Sequence, residues 1–174
     1  MKRPFVYLLI SFALLISFSF SRVPKEKVNW ISFAEMEKSY AQNPKPIIID
    51  LYTDWCGWCK VMDKNTYGNA KVAAYINEHY YAVKYNAEST DSVWFNKIKY
   101  GFNSALKTNE LALLLSRGDR SYPNTIFLEK IDASPAPLSG YMKPKEMEAP
   151  LRYFVEKKEG ETFVAFNQKM KASF

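Results

Sequence analysis

Thiols and imidazoles are scarce in this sequence, with two cysteines and one histidine among 174 residues. Two cysteines cannot build a disulfide framework, so the fold has to rest on a hydrophobic core. Together with His79 they fall short of the four Cys or His ligands of a structural zinc site. No cofactor motif, internal repeat or low-complexity tract is present, and no cofactor is expected. The basic excess is small and scattered, 24 Lys and Arg against 18 Asp and Glu, without a long block of one sign. That excludes the clustered basic face of a nucleic-acid-binding protein. With 48% hydrophobic and 24% charged residues, wholesale disorder is excluded too. The length suits one domain and not two.

Acidic residues are also missing from the first 21 positions. There Lys2 and Arg3 precede an apolar run from Phe5 to Phe20, the layout of a secretory signal peptide. The run is slightly short for a membrane-spanning helix, which needs about 17–25 residues. Ser17, Ser19 and Ser21 offer small residues for cleavage, expected after Ser19 or Ser21, and no cysteine follows to carry a lipid. An uncleaved anchor in the inner membrane is the alternative. The expected organisation is a signal segment at 1–21 and one domain at 22–174, its core at about 28–157 and a helical extension at 158–174. The implied compartment is periplasmic or extracellular, where disulfides persist.

Residue periodicity orders the rest. Val28 to Ile31 predicts a short strand. Ser32 followed by Glu35 is a capping box opening a helix to about Ala41, and Asn43-Pro44-Lys45-Pro46 stops it. Ile47 to Tyr52 is a continuous apolar run broken only by Asp50, the pattern of a strand buried on both faces. Thr53-Asp54-Trp55 makes a turn, and a helix opens at Cys56 and breaks near Gly68. Asn69 caps another helix, with Val72, Tyr75, Ile76 and His79 on one face. Tyr80 to Tyr85 reads as a strand. Thr90 to Leu106 fits either a hairpin turning at Asn96-Lys97 or an amphipathic helix. A helix at Asn109 to Ser116 and strands at Thr125 to Leu128 and Pro137 to Tyr141 follow. A helix carrying Met147, Leu151, Phe154 and Val155 is expected to start late or kink at Pro150, and a short one carries Phe163, Phe166 and Met170. This order predicts an α/β fold. Its central mixed sheet has parallel pairing in the first half and an antiparallel pair added late.

The scarce cysteines sit together, as Cys56 and Cys59, directly after a buried strand and at the start of a helix. A helix N-terminus carries unpaired N–H groups and a partial positive charge, which stabilise a thiolate. Cys56 as the cap can be exposed and attack a substrate disulfide. Cys59, one turn on, faces inward and can attack Cys56 to release the reduced substrate, or the reverse sequence can oxidise one. A half zinc site and a structural bridge, which across so short a loop stabilises little, are the competing readings. Asp50 interrupts an apolar strand six residues earlier. Desolvation raises a buried carboxylate toward neutrality, which suits it to take the Cys59 proton. A strand-end carboxylate reaching solvent is the alternative.

The segment Asp50-Leu-Tyr-Thr-Asp-Trp-Cys-Gly-Trp-Cys-Lys60 resembles the active-site segment of thioredoxins. It is similar above all to secreted thioredoxin-like proteins and to the C-terminal periplasmic domain of the bacterial disulfide interchange transporter. The resemblance runs from about Trp30 to Glu156, and Trp55 to Lys60 is its most specific part. It implies a thioredoxin fold acting on protein disulfides, with Cys56 as nucleophile, Cys59 as resolving thiol and Asp50 as the buried aspartate. It also implies a membrane or soluble partner that recycles the cysteine pair. Lys84 matches a lysine lying near that aspartate. Tyr122-Pro123-Asn124 matches the loop whose cis-proline faces the cysteines and whose backbone pairs with substrate. Trp55, Gly57 and Trp58 would border that substrate, and Gly140 matches a glycine where bare backbone approaches the site. Two departures stand out. Gly57-Trp58 stands where the common thioredoxin has Gly-Pro, a dipeptide that tunes thiolate stability and hence redox poise. The stretch from Asn86 to Tyr122 is longer than a minimal thioredoxin needs, an insertion before the cis-proline loop. Its Trp94, Phe95, Tyr100 and Phe102 would form either a substrate platform or a cover for the sheet edge. The tail from Phe163 is expected only to pack.

Overall fold

The computed structural model describes residues 27–174. The expected signal segment at 1–21 lies outside the described residues. Among the described residues no helix is long and apolar enough to cross a membrane.

Three parallel strands and two antiparallel ones form the central sheet. Strand β1 (Trp30–Ile31) is shorter than the expected Val28 to Ile31. Helix α1 (Phe33–Gln42) starts where the capping box places it: Glu35 N–H donates to Ser32 Oγ at 3.2 Å, and Ser32 N–H donates back to Glu35 Oε2 at 2.8 Å. Strand β2 (Ile47–Tyr52) is the middle of the sheet. It pairs in parallel with β3 (Tyr81–Asn86) and antiparallel with β8 (Asn124–Leu128), and β9 (Ala136–Ser139) adds antiparallel to β8 at one edge. The sheet order is β1-β3-β2-β8-β9. The last strand ends one residue before Gly140, not at Tyr141 as expected.

Being central, β2 buries both faces, and the two-residue period of a strand divides its side chains. Ile47, Ile49 and Leu51 face one core with Met36, Val83, Leu111 and Leu128, under α1 and α4 (Glu110–Leu115). Ile48 faces the other core, with Met62, Ile76, Phe127 and Leu151, under α2 (Gly57–Met62), α3 (Ala70–His79) and α5 (Pro144–Glu156). Asp50 shares the parity of Ile48, so it points to the side that carries α2.

Helix α2 continues as a π-helical turn (Asp63–Tyr67) before Gly68 ends it. A Cβ on Gly68 would lie 2.4 Å from the Lys64 carbonyl oxygen, so the chain needs glycine there for close approach and not for its φ. Helix α5 overturns the expectation of a late start. It begins at Pro144 and runs through Pro150 to Glu156. Pro144 at the first helical position lacks only an N–H that would have had no partner, while Pro150 costs the helix one bond to the Glu146 carbonyl.

The ambiguous Thr90 to Leu106 stretch is a hairpin, β4 (Val93–Phe95) and β5 (Ile98–Tyr100), with Asn96 and Lys97 both at positive φ in the turn. Phe95 packs edge-on to Phe33 with ring centroids 5.5 Å apart, and Asn96 N–H donates to Glu37 Oε1. The hairpin thus lies over α1. A second small pair, β6 (Phe102–Asn103) and β7 (Thr108–Asn109), leads into α4. The tail carries α6 (Phe163–Lys169) and then folds back over α5. There Glu148, solvent-inaccessible in its side chain, accepts from Ser173 N–H at 2.6 Å, Ser173 Oγ and Phe174 N–H.

Candidate active site

Strand β2 ends at Tyr52, and the turn after it delivers Cys56 as the N-cap of α2. Cys59 N–H donates to Cys56 Sγ at 3.0 Å, the capping bond that an Asp or Ser oxygen makes elsewhere. The two sulfurs form a disulfide, with Cα atoms 5.3 Å apart. One expectation fails here: Cys56 is as buried as Cys59, each 3% exposed. Neighbouring aromatic rings bracket the pair. Trp55 and Trp58 are 67% and 62% exposed. Trp55 meets Tyr122 edge-on at 6.1 Å between centroids, and Trp58 lies against Tyr141 at 5.5 Å. Gly57 has no atom near where a Cβ would stand, so close packing does not demand glycine there.

The Tyr122–Pro123 peptide bond is cis. Gly140, at φ +100° where a side chain would be strained, donates its N–H to the Pro123 carbonyl at 2.8 Å. This bond ties the proline loop to the end of β9. Trp58, Tyr122, Pro123, Gly140 and Tyr141 line an open, largely apolar groove of about 320 Å³. Beyond Trp55 a second depression is lined by Leu106, Lys107, Thr108 and Arg120. The part of the insertion that reaches the site is therefore the β6–β7 turn. Trp94, Phe95 and Tyr100 belong to the hairpin over α1, and Phe102 lines neither depression.

On the side of the sheet that carries α2 lies a charged group of three. Asp50, 1% exposed, receives Lys84 Nζ at 2.6 Å on Oδ2, as its register opposite Lys84 in β3 demands. Lys84 also reaches Asp63 Oδ1 and lies over the Tyr52 ring, 4.8 Å from its centroid. Desolvation pushes the Asp50 carboxyl up to about 6, outweighing the pull of Lys84, and the nearby Asp63 charge pushes the same way. Burial alone would push the Lys84 ammonium down, but its two carboxylate partners hold it above the usual lysine value. Among the described residues Asp50 Oδ1 has no hydrogen-bond partner, while the neighbouring Tyr67 hydroxyl is bonded to Thr125 Oγ1 at 3.0 Å. Burial lifts Tyr67 well above the ordinary phenol range, so it stays neutral.

Sequence reasoning missed Asp63, Tyr141 and Glu88. Asp63 stands four residues after Cys59 and therefore on the same helical face, a spacing that would have revealed it. Glu88 fixes the exposed Trp55 by accepting its indole N–H at 3.0 Å, a long-range contact without a sequence signal. His79 lies in the last turn of α3 beside Tyr75. Among the described residues no cluster of His, Cys, Asp and Glu could hold a metal.

Comparison with known proteins agrees with this geometry. A thiol:disulfide interchange protein DsbD from Pectobacterium atrosepticum is 33% identical over 46 residues, 26% of this chain and 8% of that protein. The chain spans only 8% and 15% of the lengths of the curated relatives it matches. Among solved structures, one described as DsbH oxidoreductase superposes with a TM-score of 0.54 at 15% identity, covering 76% of this chain and 87% of that one. A thioredoxin-fold protein from Helicobacter pylori gives 0.55 at 18%, covering 73% and 80%. These likenesses establish the thioredoxin fold. The family model Thioredox_DsbH, described as "Protein of unknown function, DUF255", matches residues 17–159. The chain belongs to this thioredoxin-like DsbH family.

Proposed function

We propose that this protein is a thiol–disulfide oxidoreductase that reduces protein disulfides through Cys56 and Cys59 in the periplasm. The observation that carries the reading is the redox-linked pair capping α2, set beside the cis-Pro123 loop. In the reduced protein the Cys56 thiolate, stabilised at the helix N-terminus, attacks one sulfur of a client disulfide. A Cys56–client bond forms, and the client's other sulfur leaves as a thiolate. Asp50, the carboxyl raised by burial, takes the proton of Cys59. Cys59 then attacks Cys56 Sγ, the client leaves with both thiols reduced, and the protein is left as the disulfide seen here. An external dithiol partner, soluble or in the membrane, must return the two electrons.

A client strand reaches Cys56 across the two exposed indoles. In this reading Tyr122 backbone groups and the groove by Trp58 hold that strand; the Gly140 bond to the proline loop and the Lys84 ion pair with Asp50 support it. The periplasmic assignment rests on the basic-then-apolar first 21 residues, read as a cleaved signal. The test is the reduction potential of the Cys56–Cys59 pair, equilibrated against glutathione or dithiothreitol. A value near the thioredoxin end, about −270 mV, supports a reductant. A value near about −120 mV would falsify it and assign the same residues to an oxidase.

A further inference from the structure

One depression shares no lining residue with the client groove by Trp58. It opens between the π-helical turn and β1, with a volume of about 620 Å³, within the range of small-molecule sites. Its walls are apolar and aromatic: the buried Tyr67 meets Trp30 edge-on with centroids 4.9 Å apart, and Val28 closes one side. Its rim is cationic. Lys27, Lys60 and Lys64 are all exposed, and among the described residues no salt bridge engages any of them. Lys84 also lines the depression. Asp63 is the sole carboxylate among the lining residues, and it is committed to Lys84. Lys84 is paired with both Asp50 and Asp63, so the three rim ammonium groups are the surplus of positive charge beside the aromatic wall. The floor is shaped by a π-helical turn. Such turns cost backbone regularity and are frequent at functional sites.

We propose that this cavity is a binding site for a small carboxylate with a flat apolar body, its anionic end held by Lys27, Lys60 and Lys64. The body lies against Trp30, backed by the buried Tyr67, while the carboxylate meets lysines that form no salt bridge among the described residues. A neutral ligand of the same shape gains only the stacking. A cationic one meets the repulsion of the three rim lysines. The site shares Lys84 and Asp63 with the group that sets Asp50, but none of its lining with the client groove by Trp58. Binding is read without a redox step, so its failure and that of the proposed reductase activity are distinguishable.

The test is a titration of the isotope-labelled, oxidised chain with 2-naphthoate, followed by amide and indole N–H chemical shifts. Naphthamide and naphthylmethylamine serve as the neutral and cationic probes. The expected result is saturable shifts at Lys64, Gly68 and the Trp30 indole, with a dissociation constant on the order of 1 mM. The amide should bind at least about tenfold more weakly, and added salt should weaken the naphthoate. The double variant Lys27→Glu/Lys64→Glu should lose at least about tenfold in affinity, and the Lys27→Arg/Lys64→Arg variant should keep it. An unchanged amide pattern in β8 confirms that the variants are folded. Equal affinity for all three probes, shifts centred on Trp55 and Trp58, or no saturable binding would each overturn the proposal.

Discussion

Asp50→Asn separates stability from function at one buried atom. In the folded protein desolvation raises the Asp50 carboxyl from 3.8 to about 6. A tenfold change in proton affinity corresponds to about 1.36 kcal/mol, so keeping this carboxylate ionised costs the fold about 3 kcal/mol at neutral pH. The sign follows from proton counting. Between about pH 4 and 6 the folded state holds the Asp50 proton longer than the unfolded chain does. Stability from this group is therefore full below pH 4 and lost as pH rises through 6. Asparagine has no such proton. Lys84 is not stranded by the change, because Asp63 still pairs with it. The difference in unfolding free energy, Asp50→Asn minus wild type, should be near zero at pH 4 and favour the variant by about 1–3 kcal/mol at pH 7.5. Urea denaturation of both oxidised proteins at four or five pH values measures it. Comparing the pair cancels the titrating groups that do not interact with Asp50. The same variant should resolve mixed disulfides more slowly, since the proton acceptor is gone, so stability rises as rate falls. A difference that does not change with pH, or a variant less stable at pH 7.5, would refute the reasoning.

Further outcomes follow from the same contacts. Asp63→Asn removes a charge that raises Asp50 and frees Lys84, so the pH midpoint of the resolving step should move down; Lys84→Met should move it up, both read by stopped-flow at a series of pH values. Gly68→Ala drives a methyl group to 2.4 Å from the Lys64 carbonyl oxygen and should cost about 1–3 kcal/mol, seen as a lower Tm. In Glu148, burial opposes the charge, but bonds from Ser173 and Phe174 hold its carboxyl below the ordinary glutamate value. Glu148→Ala should release the tail, with faster hydrogen exchange at Ser173 and Phe174. In the wild type the same release should appear as pH falls through that lowered value.

Much of this arrangement is legible in local sequence because local chemistry determines it. Ser32 and Glu35 satisfy each other's backbone groups within one turn, so the start of α1 needs no distant partner. The Ile47 to Tyr52 run identifies the central strand, because only a strand covered on both faces can bury so many consecutive apolar residues. Asp50, Lys84 and the cysteine pair stand out because each breaks the pattern around it. The rest depends on packing. That Cys56 is buried is a product of tertiary packing, as are the pairings of Trp55 with Tyr122 and of Trp58 with Tyr141, contacts between segments far apart in the chain. The same holds for the insertion. Its aromatic residues suggest recognition, yet Phe95 serves the core beside Phe33, and it is the Leu106 to Thr108 turn that borders Trp55. Pro150 reads as a helix breaker, but burial in the second core holds α5 together through it.

The most direct test of the account is covalent trapping. Cys59→Ser leaves Cys56 able to attack but removes the group that resolves the adduct. Reduced Cys59→Ser protein, mixed with disulfide-bonded periplasmic proteins and quenched with alkylating agent, should carry clients on Cys56 as dithiothreitol-sensitive adducts resolved by non-reducing electrophoresis and mass spectrometry. The Cys56→Ser/Cys59→Ser protein should carry none. Absence of adducts on Cys56 under these conditions, with the fold intact, would contradict the claim that this pair exchanges disulfides with proteins.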